Sequence, residues 1–284
     1  MVVLVTGASG QLGQSLQFIA KNYPNIDFKF CNSTTLDITD LENVKLIFQE
    51  HKPDFCINTA AYTAVDKAES EPQKAFAINV TGSKNLAEAC KEYDTTLIHI
   101  STDFVFDGTA VKPYSENDFT NPKSVYGQTK LDGEKVIQAI LQKHIIIRTS
   151  WVYSQFGNNF LKTMLRLGSE KDTLSVVNDQ IGAPTNAVDL ANAIVKIVEI
   201  QKVKAEKFGI YNYSNLGQCS WFDFAKKIFE IHDIDIILKP IPSASYPTPA
   251  ERPKYSVLDK SKIIGTFGIE IKSWEESLKT VIFN

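Results

Sequence analysis

No stretch of roughly 18 consecutive apolar residues occurs in the chain, so no segment reads as a membrane-spanning helix. The 30 Lys and Arg are outnumbered by 33 Asp and Glu, and the net charge of −3 leaves no basic surplus to neutralise a nucleic-acid backbone. Arginine is rare: Arg148, Arg166 and Arg252 are the only ones. Cysteine is scarce too. Cys31, Cys56, Cys90 and Cys219 form no C-x-x-C pair. No basic segment precedes the apolar opening residues, so the start reads as a first strand and not a signal peptide, and the cysteines read as reduced, buried small hydrophobes of a cytoplasmic chain. The histidines (His51, His99, His144, His232) are scattered and suggest no metal site. Internal repeats and low-complexity tracts are absent.

What is there is an ordinary globular mixture, 43% hydrophobic and 22% charged over 284 residues, enough for one large α/β domain with a smaller cap. Short β-branched runs alternate with longer amphipathic stretches, the pattern of a parallel sheet with crossover helices. Strands are expected at Val2–Val5, Asp27–Cys31, Asp54–Asn58, Leu97–Ile100 and Ile145–Thr149. Helices are expected at Leu12–Lys21, from Asp40 as cap to about His51, from Pro72 to about Tyr93, and at about Ser124–Gln142. After Trp151 the pattern loosens: Asn158–Leu167, Asp189–Ile200 and Trp221–Ile231 look helical, Leu174–Val177 extended, and Gly209–Tyr213 suits a further strand of the sheet. Five prolines in Pro240–Pro253 exclude regular structure there, and Tyr246, Arg252 and Tyr255 mark that segment as an ordered loop over a ligand.

Gly7-Ala8-Ser9-Gly10-Gln11-Leu12-Gly13 follows the first strand and opens a helix. Gly7, Gly10 and Gly13 permit a tight turn, a close backbone approach to a pyrophosphate and close helix–strand packing. The helix N-terminus adds about half a positive charge aimed at the phosphates. The spacing is G-x-x-G-x-x-G, looser than the G-x-G-x-x-G fingerprint, and its position on the first strand of an alternating chain is what points to a dinucleotide. The fold class expected is therefore α/β: a Rossmann-type doubly wound parallel sheet with a smaller C-terminal α/β substrate-binding region.

Tyr126 and Lys130 are four apart, on one face of a helix that follows a strand ending at Thr102. Tyr has a reference pKa near 10, and a neighbouring ammonium favours its phenolate, moving it toward the range where an acid–base catalyst works. Thr102, at the strand's C-terminal edge, can hydrogen-bond the same carbonyl oxygen that Tyr126 protonates.

These residues resemble the extended short-chain dehydrogenase/reductase superfamily and, within it, the branch that reduces dTDP-activated 4-keto sugars. The likeness runs through Gly7–Gly13, Asn58–Glu69, Ser101–Phe106, Val125–Lys130, Arg148–Tyr153, Asn178–Thr185 and Tyr246–Pro253. It implies that Gly10-Gln11-Leu12 hold the cofactor pyrophosphate, that Asp37-Ile38 lie by the adenine, and that Ala61-Tyr62-Thr63 and Ile100 line the cofactor groove. It further implies that Tyr126 and Lys130 contact the nicotinamide ribose, with Tyr126 the proton donor, and that Thr102, Asp103 and Trp151 face the sugar. Residues 1–150 would bind NADPH or NADH, with parts of 185–215 returning to that domain, and 151–284 would mainly bind the nucleotide sugar. The implied reaction reduces the 4-keto group of dTDP-4-dehydro-β-L-rhamnose to dTDP-L-rhamnose, the last step of that nucleotide-sugar pathway.

Trp151, after a strand end beside Thr149 and Ser150, suits stacking on a sugar. Arg252 offers a planar fork for the substrate diphosphate, whereas Arg148 sits mid-strand and reads as structural. At the end of strand two, Phe30-Cys31-Asn32-Ser33 carry no carboxylate to bind a ribose 2′-OH and no Arg for a 2′-phosphate, so weak discrimination between the cofactors is expected. Two other readings stand beside this one. A dehydratase or epimerase of the superfamily is disfavoured because Phe104 replaces the second acid that a dehydratase uses after Thr102-Asp103. A regulatory subunit like that of methionine adenosyltransferase is disfavoured by the intact Thr102, Tyr126 and Lys130. A homodimer is compatible with both charge and motif.

Overall fold

A computed structural model describes residues 1–203 and 207–281. Its main sheet is parallel and six-stranded, made of β1 (Val2–Thr6), β2 (Asp27–Phe30), β3 (Phe55–Asn58), β4 (Thr96–Thr102), β5 (His144–Thr149) and a late returning strand. The short strands β6 (Val152–Tyr153), β7 (Thr173–Val177), β8 (Ile181–Gly182) and β9 (Thr185–Asn186) come before that returning strand, β10 (Gly209–Asn212). The order across the sheet is β2-β1-β3-β4-β5-β10. The chain leaves β1 on one side for β2 and crosses to the other for β3. In such sheets ligands collect at that switch point, beyond the strands' C-terminal ends.

Between the strands run α1 (Gln11–Ala20), α2 (Leu41–His51), α3 (Val65–Ala68), α4 (Pro72–Phe76), α5 (Gly82–Glu92) and α6 (Val125–Ile140), followed by α7 (Phe160–Glu170), α8 (Ala187–Val203) and α9 (Trp221–Ile231). Strand alternation sorts the side chains onto two faces. Val3, Val5, Ile57, Ile98, Ile145 and Ile147 share a core with Leu16 of α1 and Leu190 and Ile194 of α8. Leu4, Cys56, Leu97 and Ile146 share the other with Phe48 of α2, Leu86 of α5 and Ile137 of α6. Each fully buried Val, Leu or Ile contributes about 1.5–3 kcal/mol, so both faces need their helices. Beyond β5 a third apolar cluster gathers Tyr153, Leu161, Val176, Phe224, Ile228 and Trp274. β11 (Cys219–Ser220) pairs with β8 there, and β12 (Ile237–Ile241) with β7.

Two expectations about elements need correction. The helix expected from Pro72 to Tyr93 is interrupted by a π turn over Ala77–Thr81. The bulge lets buried Asn79 use its side chain outside the helix: Oδ1 accepts from Tyr62 N–H at 2.9 Å, and Nδ2 donates to Thr129 Oγ1 of α6 at 3.0 Å. Asn79 thus ties the loop after β3 to the helix that carries Tyr126. The second correction concerns Pro240, which lies inside β12 and not in an irregular loop. A two-stranded sheet leaves β12 an open edge, where the missing N–H costs no ladder bond.

Candidate active site

The turn after β1 is shaped by close approach. Gly7 has φ +66°, and a Cβ there would sit 2.5 Å from the Ala60 nitrogen beyond β3. A Cβ at Gly13 would meet the Gly7 carbonyl oxygen at 2.5 Å. The glycines therefore let α1, the end of β1 and the end of β3 close up on one another. Gly10 is the N-cap of α1 and supplies no side-chain cap. The first-turn N–H groups consequently lack a side-chain partner at the mouth of a cleft, an arrangement that takes an anion.

That cleft, about 630 Å³, runs from Ser9–Leu12 past the ends of β3, β4 and β5. Thr102 ends β4; its hydroxyl donates to Asp103 Oδ1 at 3.0 Å and accepts from Phe104 N–H. Ser124 caps α6 by accepting from Gly127 N–H, which sets Tyr126 in the helix's first turn above Thr102. Asp103 is buried, and burial raises its carboxyl to about 6 despite hydrogen bonds from Ser256 and Thr102. Lys130 is buried as well and its ammonium is lowered to about 8, burial outweighing the pull of Glu134. Glu134 is bound by both Nε (3.0 Å) and Nη2 (2.7 Å) of Arg148, a buried ion pair that makes Arg148 structural.

The opposite wall comes from residues far apart in sequence. Trp151 has a positive φ of 48°, unusual for a side chain of its size, and its indole stacks on Trp221 with centroids 3.5 Å apart and planes 8° from parallel. Gly182 gives it room, since a Cβ there would lie 2.5 Å from the indole. Gln11 of the glycine turn reaches across: its Oε1 accepts from Asn159 Nδ2 at 2.9 Å and from Ser154 Oγ at 3.2 Å.

The cleft brings together Gly10, Gln11, Leu12, Ala61, Thr63 and Ile100, and with them Thr102, Asp103, Tyr126, Lys130, Trp151 and Arg252. Gly7 and Gly13 lie behind the turn. Two expectations are corrected, the facing of Tyr62 and the lowering of Tyr126, and the other residues are placed less directly. Tyr62 does not line the groove: its ring packs with Ala68 and Ala75, and its hydroxyl donates to Glu71 at 2.8 Å. Asp37 and Ile38 are not on the cleft wall either. Ile38 is core against Gly82, and the Asp37 carboxylate accepts from Thr39. Arg252 is at the cleft, but its guanidinium already forks onto both oxygens of Asp66, at 3.0 and 2.8 Å. Tyr126, finally, is not brought down: burial, with the negative charge of Asp103, raises its phenol to about 12 against the opposing hydrogen bond of Thr102. The physical reason is that Lys130 Nζ donates elsewhere, to Ile100 O at 2.7 Å, and lies 3.2 Å from His99 Nε2.

Sequence reasoning missed Trp221, Asn159 and Asn79. It also passed over His99, although a histidine inside the apolar run Leu97–Ile100, three residues before Thr102, was a usable signal.

The family model described as the RmlD substrate binding domain matches residues 1–284. The chain is 41% identical to the dTDP-4-dehydrorhamnose reductase of Aggregatibacter actinomycetemcomitans, over 98% of this chain and 97% of that protein. A crystal structure of a dTDP-4-dehydrorhamnose reductase from Clostridium acetobutylicum superposes with a TM-score of 0.94 at 44% identity, covering 98% and 97% of the two chains. Another, from Bacillus anthracis in complex with NADP, gives 0.92 at 40% identity over 98% and 97%.

Proposed function

Since the chain belongs to the RmlD substrate binding domain family, we propose that it reduces the 4-keto group of dTDP-4-dehydro-β-L-rhamnose to dTDP-L-rhamnose, the last step of dTDP-rhamnose biosynthesis. The observation that carries the reading is the meeting, in one cleft, of an uncapped helix N-terminus with Thr102, Tyr126 and Lys130. The glycine turn fits a dinucleotide pyrophosphate, because the N-terminus of α1 opens on the cleft with no side-chain cap on its N–H groups. NADPH or NADH, when bound, supplies the hydride. Gly10, Gln11 and Leu12 hold the phosphates, and Ala61, Thr63 and Ile100 flank the rest of the cofactor.

The chain's own residues handle the proton. Tyr126, with its phenol raised to about 12, stays protonated through neutral pH and is a donor in its resting state. Thr102 orients the ketone oxygen toward it, and Tyr126 protonates that oxygen as charge develops there. Lys130, lowered to about 8, is a stronger acid than Tyr126, so return of a proton from it to the phenolate, relayed by water in the cleft, is downhill. Residues 151–284 mainly hold the nucleotide sugar, with Trp151 and Trp221 as an apolar platform for the sugar ring. Arg252 serves the diphosphate from the edge of its pair with Asp66. The four cysteines are free and buried, which supports a cytoplasmic setting.

The test is NADPH consumption by the purified protein with dTDP-4-dehydrorhamnose present and absent. Oxidation should require the sugar. NADPH should serve at least as well as NADH, with any preference for NADH below about 100-fold in kcat/KM. Cofactor binding without turnover would point to a regulatory protein and refute the reading.

A further inference from the structure

A buried hydrogen-bonded chain lies behind the reactive face. It starts at Asn58, at the end of β3, passes through His99 on β4 and ends at Lys130 on α6, where it meets the cleft; all three side chains are buried. Its polarity can be read from one fixed donor. The backbone N–H of Ala60 donates to Asn58 Oδ1 at 3.1 Å, and Thr6 Oγ1 donates to the same oxygen at 2.7 Å. The Asn58 amide is thereby oriented, and its Nδ2 is the group 3.0 Å from His99 Nδ1. An amide NH₂ only donates, so Nδ1 must accept. Burial and the nearby Lys130 hold His99 well below the ordinary imidazole range, so the ring is neutral and its one proton sits on Nε2. That Nε2 is 3.2 Å from Lys130 Nζ.

We infer, on the reading of function above, that His99 is a positioning residue: locked by Asn58 as the Nε2–H tautomer, it donates to Lys130 Nζ and so stabilises the neutral amine that lysine becomes after giving its proton to Tyr126. An ammonium has three N–H groups and no lone pair. Its charged form would face the imidazole N–H donor to donor, and turning the imidazole over would only move the conflict to Asn58. The proton balance closes. Tyr126 O–H gives its proton to the carbonyl oxygen, the Lys130 ammonium gives one to the phenolate through water in the cleft, His99 N–H bonds the resulting amine, and solvent returns a proton to Lys130. His99 neither gains nor loses one.

The other ionisable groups around Lys130 do not supply this role. Glu134, on its own helix, favours the charge but is neutralised by Arg148 of β5. Asp103, in the turn after β4, acts on Tyr126. Glu69, at the start of α6, accepts from Val125 N–H, and Glu71 accepts from the Tyr62 hydroxyl.

The inference is tested first in the wild-type protein, by ¹⁵N NMR of the ring nitrogens of His99 at neutral pH, assigned by their loss in His99→Gln. A bare Nδ1 and a protonated Nε2 are expected; the opposite tautomer overturns the proposal. The second test is the pH dependence of NADPH affinity and of turnover in the wild type, His99→Gln and Asn58→Asp. In Asn58→Asp a carboxylate must accept from Nδ1–H, which turns Nε2 into an acceptor for the ammonium. In either variant that melts like the wild type, the alkaline break should move upward by about one pH unit, a tenfold change in proton affinity, with KM for the sugar unchanged. A folded variant whose break stays where the wild type has it contradicts the role. The NMR and NADPH arms do not involve the sugar, so a wrong substrate would fail only in turnover and leave this inference separately decided.

Discussion

One wall of the cleft stands on regular elements, the turn after β1, the end of β4 and the first turn of α6, while the other is assembled from Trp151, Trp221 and Arg252, which lie on separate segments. The first wall is fixed by local geometry: Gly7 and Gly13 cannot carry a Cβ, Ser124 caps α6, and the Glu134–Arg148 pair clamps α6 to β5. The second is fixed by contacts that exist only after folding, an indole stack and a guanidinium held by a carboxylate 186 residues away in sequence. Gln11, reaching from the first wall to Ser154 and Asn159, joins them. A wall of the first kind suits a cofactor common to many reductases, and one of the second kind suits a particular sugar.

The largest expected effect lies beneath the first wall. Arg148→Met leaves Glu134 buried and unpaired and should cost about 3–5 kcal/mol of stability, read from urea unfolding. A loss below about 1 kcal/mol would show that the clamp is not what holds α6, surface pairs being of that size.

Asp103 should have the next largest effect, with a sign set by pH. Its folded value, about 6, lies above its ordinary 3.8, so the acid form favours the native state. That stability is fully present below about pH 4, is lost as pH rises through about 6, and stays lost above it. Asp103→Asn should therefore gain on the wild type across that window, by roughly 2–3 kcal/mol at pH 8 and by little at pH 4. An equal difference at both pH values would mean that the carboxyl is not strained by burial.

Tyr126→Phe should keep NADPH affinity and reduce kcat by at least about 100-fold, the scale of a lost general acid. Near-normal turnover in that variant would remove Tyr126 from its role. On the second wall, Trp221→Ala and Trp151→Ala should each raise KM for the sugar nucleotide about tenfold, near 1.4 kcal/mol, and leave the NADPH dissociation constant unchanged. Equal losses for both ligands would erase the distinction between the walls.

The same division explains what could be read in the sequence. The parallel sheet, the glycine turn and the Tyr126–Lys130 spacing are local patterns with periods of two and about four residues, so they are visible before folding. The facing of Tyr62 is not, because the turn after β3 sets it and Asn79 of the π turn secures it. The partner of Arg252 could not be read either: a guanidinium fork suits a diphosphate and the Asp66 carboxylate equally well, and only the fold places Asp66 there. The rise of Tyr126 was missed for a related reason. Helical spacing puts Lys130 on its face, but the Ile100 carbonyl decides where the ammonium points.

The central claim is that the two walls bring a hydride donor and a 4-keto sugar together beside Tyr126. Its most direct test uses NADPH stereospecifically deuterated at the nicotinamide C4, each face in turn, with dTDP-4-dehydrorhamnose, and locates the label in the product by NMR. One of the two cofactors should place deuterium at C4 of the sugar, one atom per NADPH consumed, with the other leaving it unlabelled. NADPH oxidised without label in the sugar, or label at any other carbon, would contradict the account.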